Sequence, residues 1–122
     1  MDYDQAIANF QTALKQNDAH LLARASLAAC YRELKMEKLC AEHIAEVRKQ
    51  LAADPDSTIS TYDRSCVEAL CGDTEEALRL LKQALDNKEI WQRYVQRDSD
   101  FYLLQNNPAF MQLVGLQAAL PA

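Results

Sequence analysis

Through most of the first 87 residues the apolar positions recur three and four apart, the period that lines one face of a helix. Tyr3, Ile7, Phe10 and Leu14 form one such stripe, and the segment from Leu21 to Leu34 carries Leu27, Ala28 and Tyr31 on its packed side. The spacing predicts helices near 2–16, 19–34, 37–53, 57–71 and 73–87. Asp2 with Gln5, and Asp73 with Glu76, have the spacing of a capping box, in which the cap side chain and the one three residues on satisfy free N–H groups. Gly72 supplies the left-handed residue that ends a helix, and Asp54-Pro55 blocks continuation of the one before it. The turn at Lys35-Met36 has no glycine, so its boundary carries the weakest signal. Beyond residue 87 the period stops. Trp91, Tyr94, Val95, Phe101, Leu104, Phe110 and Leu113 are scattered among polar residues, and Asn107-Pro108 predicts a short helix from 108 to about 119.

The helices repeat. Ala6-x3-Phe10-x2-Ala13 returns as Cys40-x3-Ile44-x2-Val47 and again as Ala77-x3-Leu81-x2-Ala84, with offsets of 34 and then 37 residues. A constant offset at three positions marks an internal repeat, and the longer second value places an insertion around Asp54-Pro55-Asp56-Ser57. The small residue lets a neighbouring backbone approach, and the larger one fills the space beside it.

With Leu27-Ala28-x2-Tyr31 preceding the second copy, these motifs resemble the tetratricopeptide repeat family, over roughly residues 2 to 87. The strongest match is Tyr62-x2-Ser65-Cys66-Val67-Glu68-Ala69-Leu70-Cys71-Gly72-Asp73; Arg24 stands in place of the family's Trp, and Arg64 in place of an aliphatic. The stretch Asp98-Ser99-Asp100-Phe101-x2-Leu104-x2-Asn107-Pro108-x-Phe110-x2-Leu113 looks like the tail that closes many bacterial arrays of this family. The resemblance implies an all-α, right-handed α-solenoid of helix-turn-helix repeats, about two and a half of them over 1–87, followed by a helical C-terminal capping segment over 88–122.

In that family the first helices of the repeats line a concave face that meets the ligand. The corresponding stripes are Leu22, Ala25, Ser26, Ala29, Arg32 and Glu33 on one helix, and Ile59, Tyr62, Asp63, Cys66 and Ala69 on the next. Small and mainly apolar, they suit an amphipathic helix or an extended peptide. Ala25, Ala29, Tyr62 and Cys66 occupy the positions where some members use Lys and Asn to grip a C-terminal carboxylate, so a chaperone-tail clamp is not expected. The same residues equally suit packing against a neighbouring helix or the chain's own tail, because periodicity reports burial without naming the partner. The chain also opens on a second helix with no first helix before it. The stripe of Tyr3, Ile7, Phe10 and Leu14 is therefore a candidate surface for self-association with another copy, or for docking on upstream repeats of a longer protein.

Composition narrows the partner. A formal net charge of -5 leaves no basic stripe for nucleic acid or an anionic membrane. The absence of a long apolar run and of a leader pattern makes the cytoplasm the expected compartment. Cys30, Cys40, Cys66 and Cys71 have neither zinc-knuckle nor disulfide-framework spacing and are expected as reduced, mostly buried thiols.

Candidate chemistry is sparse. Cys40, His43 and Glu46 lie on successive turns, but only His20 is left to join them, so neither a metal site nor a thiol nucleophile is expected. The acidic run Asp73-Thr74-Glu75-Glu76 is accounted for by the helix dipole. Trp91 reads as covering the end of the core, with an exposed interface anchor as the alternative. The expectation is a non-enzymatic protein-protein interaction module, an adaptor or scaffold without cofactor or metal; the alternative is a structural or oligomerisation module.

Overall fold

The computed structural model describes residues 2–54 and 59–116, and among these it is helical with no strand. The helices are α1 (Tyr3–Gln16), α2 (Leu21–Glu33), α3 (Glu37–Ala53), α4 (Thr61–Cys71), α5 (Thr74–Asp86), α6 (Gln92–Arg97), a 3-10 helix (Ser99–Leu104) and α7 (Pro108–Leu113). The first three form one compact unit and the remainder a second, with the division between Thr58 and Ile59. The segment after residue 87 thus packs with α4 and α5.

Caps explain most of the starts. Asp2 accepts from the Gln5 N–H at 3.0 Å and Asp73 from the Glu76 N–H at 3.3 Å, as the capping pattern predicts. Gln5 turns its own amide to Asn9 at 3.1 Å. Ser60 opens α4 by accepting from Asp63 N–H at 3.0 Å; the earlier part of the predicted 57–71 helix lies outside the described residues. Asp54 caps the C-terminus of α3, and the Pro55 expected to end that helix lies outside the described residues, as does the insertion around it. At α2 the cap is His20, whose Nδ1 accepts from Ala23 N–H at 3.2 Å, so this imidazole holds a helix end.

Four helices stop in one way, on a residue with positive φ: Lys35 (60°), Gly72 (90°), Lys88 (58°) and Gly115 (78°). In each, the next N–H reaches back to a carbonyl five residues earlier: Met36 to Tyr31 (2.8 Å), Asp73 to Glu68 (2.9 Å), Glu89 to Ala84 (2.9 Å) and Leu116 to Met111 (2.8 Å). The stop at Gly115 ends α7 at Leu113, short of the predicted 119; residues 117–119 lie outside the described residues.

In the first unit Leu27, Ala28, Tyr31 and Cys40 form a buried cluster, with Ile7, Phe10, Leu14, Leu39 and Ile44 packed against it. The α1 stripe therefore rests on this cluster but is only half covered, and no residue of α1 is fully buried. Arg24 reaches Asp18 at 2.7 Å and His43 at 3.4 Å. In the second unit α4 packs on α5 and on the 3-10 helix, and α5 meets α7. Ala77, Leu81 and Ala84, the third copy of the repeat, are fully buried there, as are Val95, Phe101 and Phe110, whose rings stack 5.6 Å apart.

Candidate functional site

The stripe expected to line a concave face is largely covered. Ala25, Ser26 and Ala29 on α2 are buried, as are Tyr62, Cys66 and Ala69 on α4. Leu22, Arg32, Ile59 and Asp63 are half-buried, and only Glu33 is exposed. On α4 the covering element is the chain's own C-terminal segment. The Tyr62 ring packs against Phe101 at 6.0 Å and meets Tyr94 edge-on at 6.1 Å. Its hydroxyl donates to Asp98 Oδ2 at 2.5 Å. The i, i+3, i+4 spacing reports a buried face, and at Tyr62 the neighbour on that face is the chain's own tail, the second of the two readings the spacing left open.

Around Tyr62 lies a cluster that spacing alone does not disclose, since its members come from α4 and from residues more than thirty positions later. Cys66, Asp98 and Asp100 each bring one potential ligand atom to within 4.8 Å of the others, making them, among the described residues, the set that could hold a metal. The site satisfies itself with protons. Asp98 Oδ1 accepts from the Asp100 N–H at 2.9 Å while Oδ2 takes the Tyr62 hydroxyl, and Asp100 is hydrogen-bonded to the Cys66 thiol. Burial, with Asp98 and Asp63 nearby, pushes the Asp100 carboxyl up to about 6. Burial, and then Asp100 and Asp98, push the Cys66 thiol up as well. Burial and the bond to Asp98 do the same to the Tyr62 phenol. Neither thiolate nor phenolate is favoured here, which is the opposite of what a nucleophile needs.

In the first unit, Cys40 is buried, His43 stacks on Tyr31 at 5.6 Å, and Glu46 accepts from Gln50 at 3.1 Å. His20 is occupied as the α2 cap, so these residues form no ligand set among the described residues. Burial and then Arg24 hold the His43 pKa below the usual imidazole value. The four cysteines are free and buried, as expected.

The exposed feature is elsewhere. Trp91, expected over the end of the core, is 81% exposed, and Tyr94 one turn on is 59% exposed. Val95, Phe101 and Phe110 are the fully buried side chains there, and the indole lies outside that core. With Gln92, Arg93, Arg97, Asp98 and Ser99 these two aromatics line an open concavity of about 990 Å³. Gln92 is fixed by a 2.9 Å bond to the Leu113 carbonyl, and Tyr94 is steadied by its edge contact with Tyr62. Arg93 and Arg97 lie one turn apart on α6, and both are exposed. An aromatic pair held against a structured base, flanked by guanidinium groups, is the chemistry of an interface anchor. The exposure of Trp91 was legible in the sequence only as the lesser alternative; its neighbours on α6 carried no signal, because a helix this short shows no period.

No helix among the described residues is long and apolar enough to cross a membrane. Comparison of the chain with protein-family models, with curated proteins and with solved structures gives no match.

Proposed function

We propose that this chain is a non-catalytic protein-protein interaction module, built on tetratricopeptide-type helix pairs, and that its working surface is the Trp91–Tyr94 face of α6. The carrying observation is the 81% exposure of Trp91 beside a half-exposed Tyr94 in an open concavity. Leaving a large aromatic in water forgoes the burial that stabilises such residues in a core, and Trp and Tyr are enriched among the residues that dominate interface energetics. The pairings α2 with α3 and α4 with α5, and the repeat of small and large residues along α1, α3 and α5, support the repeat reading. The α4 stripe, being covered by the tail, supports a surface on the cap in preference to one on the first helices.

A selection tests this. Random peptides are enriched on the immobilised chain, counter-selected on Trp91→Ala, and their binding to wild type, Trp91→Ala and Tyr94→Ala is measured by anisotropy of the labelled peptide. Peptides lost with either variant are expected. Their absence over repeated selections rejects the reading.

The half-covered stripe of Tyr3, Ile7, Phe10 and Leu14 favours a second reading, self-association through α1. A dimer by light scattering that dissociates with Phe10→Asp, while helicity is retained, supports it; a monomer at all concentrations rejects it.

A further inference from the structure

We infer that the partner segment recognised at the Trp91–Tyr94 face is acidic, a stretch of Asp or Glu around an apolar or aromatic side chain. This rests on the proposed working surface and goes beyond it by assigning the partner's charge.

Acidic residues outnumber basic ones in this chain, 18 to 13. Five of the seven arginines have a partner. Arg24 pairs with Asp18 at 2.7 Å, Lys82 with Asp86 at 2.6 Å, Arg79 with Glu76, and Arg64 lies 3.9 Å from Glu68. Arg32 and Arg48 also have partners. Among the described residues, Arg93 and Arg97 are the arginines with neither ion pair nor hydrogen bond, and they stand together on the concavity that exposes Trp91.

Asp98 also lines this concavity, yet its two oxygens are engaged by the Tyr62 hydroxyl and the Asp100 N–H. The surface thus presents two unpaired guanidinium groups and a committed carboxylate. Guanidinium groups match carboxylates in a planar, two-point geometry, and pairing them beside a desolvating aromatic strengthens both contacts. A basic segment would meet like charge. A single-stranded nucleic acid would stack on Trp91 and Tyr94, but two cations neutralise few phosphates of a backbone that carries one charge per nucleotide.

The experiment scores the peptides whose binding depends on Trp91. An excess of Asp and Glu is expected, with affinity falling roughly tenfold or more for Arg93→Glu with Arg97→Glu, and falling as salt is raised. The double variant should keep the wild-type circular dichroism melt, since both side chains are exposed. Neutral or basic peptides that bind the double variant as well as wild type would overturn the acidic assignment while leaving the working surface intact. Failure to recover any peptide dependent on Trp91 overturns both. An oligouridylate that outcompetes the selected peptides replaces the acidic segment with nucleic acid.

Discussion

The Tyr62 hydroxyl donates to Asp98 across 36 positions of sequence, and through that bond the residue that caps the 3-10 helix is tied to the first turn of α4. Asp98 therefore joins two tasks: one oxygen organises the start of the tail's 3-10 helix, and the other fastens the tail to α4. The aromatic edge from Tyr62 to Tyr94 extends the same connection to the exposed face of α6.

Tyr62→Phe keeps the ring contacts and removes the hydroxyl, leaving a half-buried carboxylate oxygen without its donor. We expect a loss of about 1–2 kcal/mol in the unit formed by α4 to α7, read from urea denaturation, because an unsatisfied buried polar group costs that order. Hydrogen exchange in the 3-10 helix should accelerate in the same variant. No change in either would mean that the bond contributes nothing to docking the tail.

The Asp100 carboxyl has an ordinary value of 3.8 that rises to about 6 in the folded chain. A folded state that holds this proton more tightly than the unfolded one is stabilised by it fully below 3.8, and the contribution is lost as pH rises through about 6. Asp100→Asn removes this dependence. Between those two pH values the wild-type urea midpoint should fall with rising pH relative to that of Asp100→Asn, and parallel profiles would contradict the assignment.

Lys35 adopts φ of 60°, a region where a side chain meets the backbone and glycine does not. Lys35→Gly should stabilise the first unit by about 0.5–1 kcal/mol, the strain relieved exceeding the backbone entropy lost. Gly72, with φ of 90°, predicts the reverse: Gly72→Ala should destabilise by about 1–2 kcal/mol. Thermal melts of both variants check the pair of signs.

Phe101 is fully buried, stacked on Phe110 and touching Tyr62. Phe101→Ala should cost about 3–5 kcal/mol by the loss of burial and the cavity left behind. In a multi-helix unit of this size the expected reading is loss of helicity over α6 to α7 at temperatures where α2 and α3 remain folded.

Helix existence was legible because Leu27, Tyr31, Leu81 and Ala84 keep strict helical spacing, and the Asp2, Asp73 and Asn107 caps announce their starts by residue type. Two stops carry no glycine to mark them. Lys35 and Lys88 take a conformation that sequence reading reserves for glycine, and only the surrounding backbone bonds impose it. The fate of Tyr62 was ambiguous for another reason: its position encodes a buried face, whereas the identity of Phe101 and Asp98 as its neighbours depends on how the chain returns. Trp91 misled through its size, since a large apolar ring is ordinarily read as core and here the indole lies outside the core that buries Val95 and Phe110.

Trp91 is the chain's sole tryptophan and already stands in water in the folded protein. Its emission should accordingly be red-shifted in the native state and change little on unfolding, so intrinsic fluorescence is a poor gauge of whether this chain is folded. The same property makes it an optical reporter of one patch alone: a blue shift signals that something has covered the indole, while the rest of the molecule stays silent.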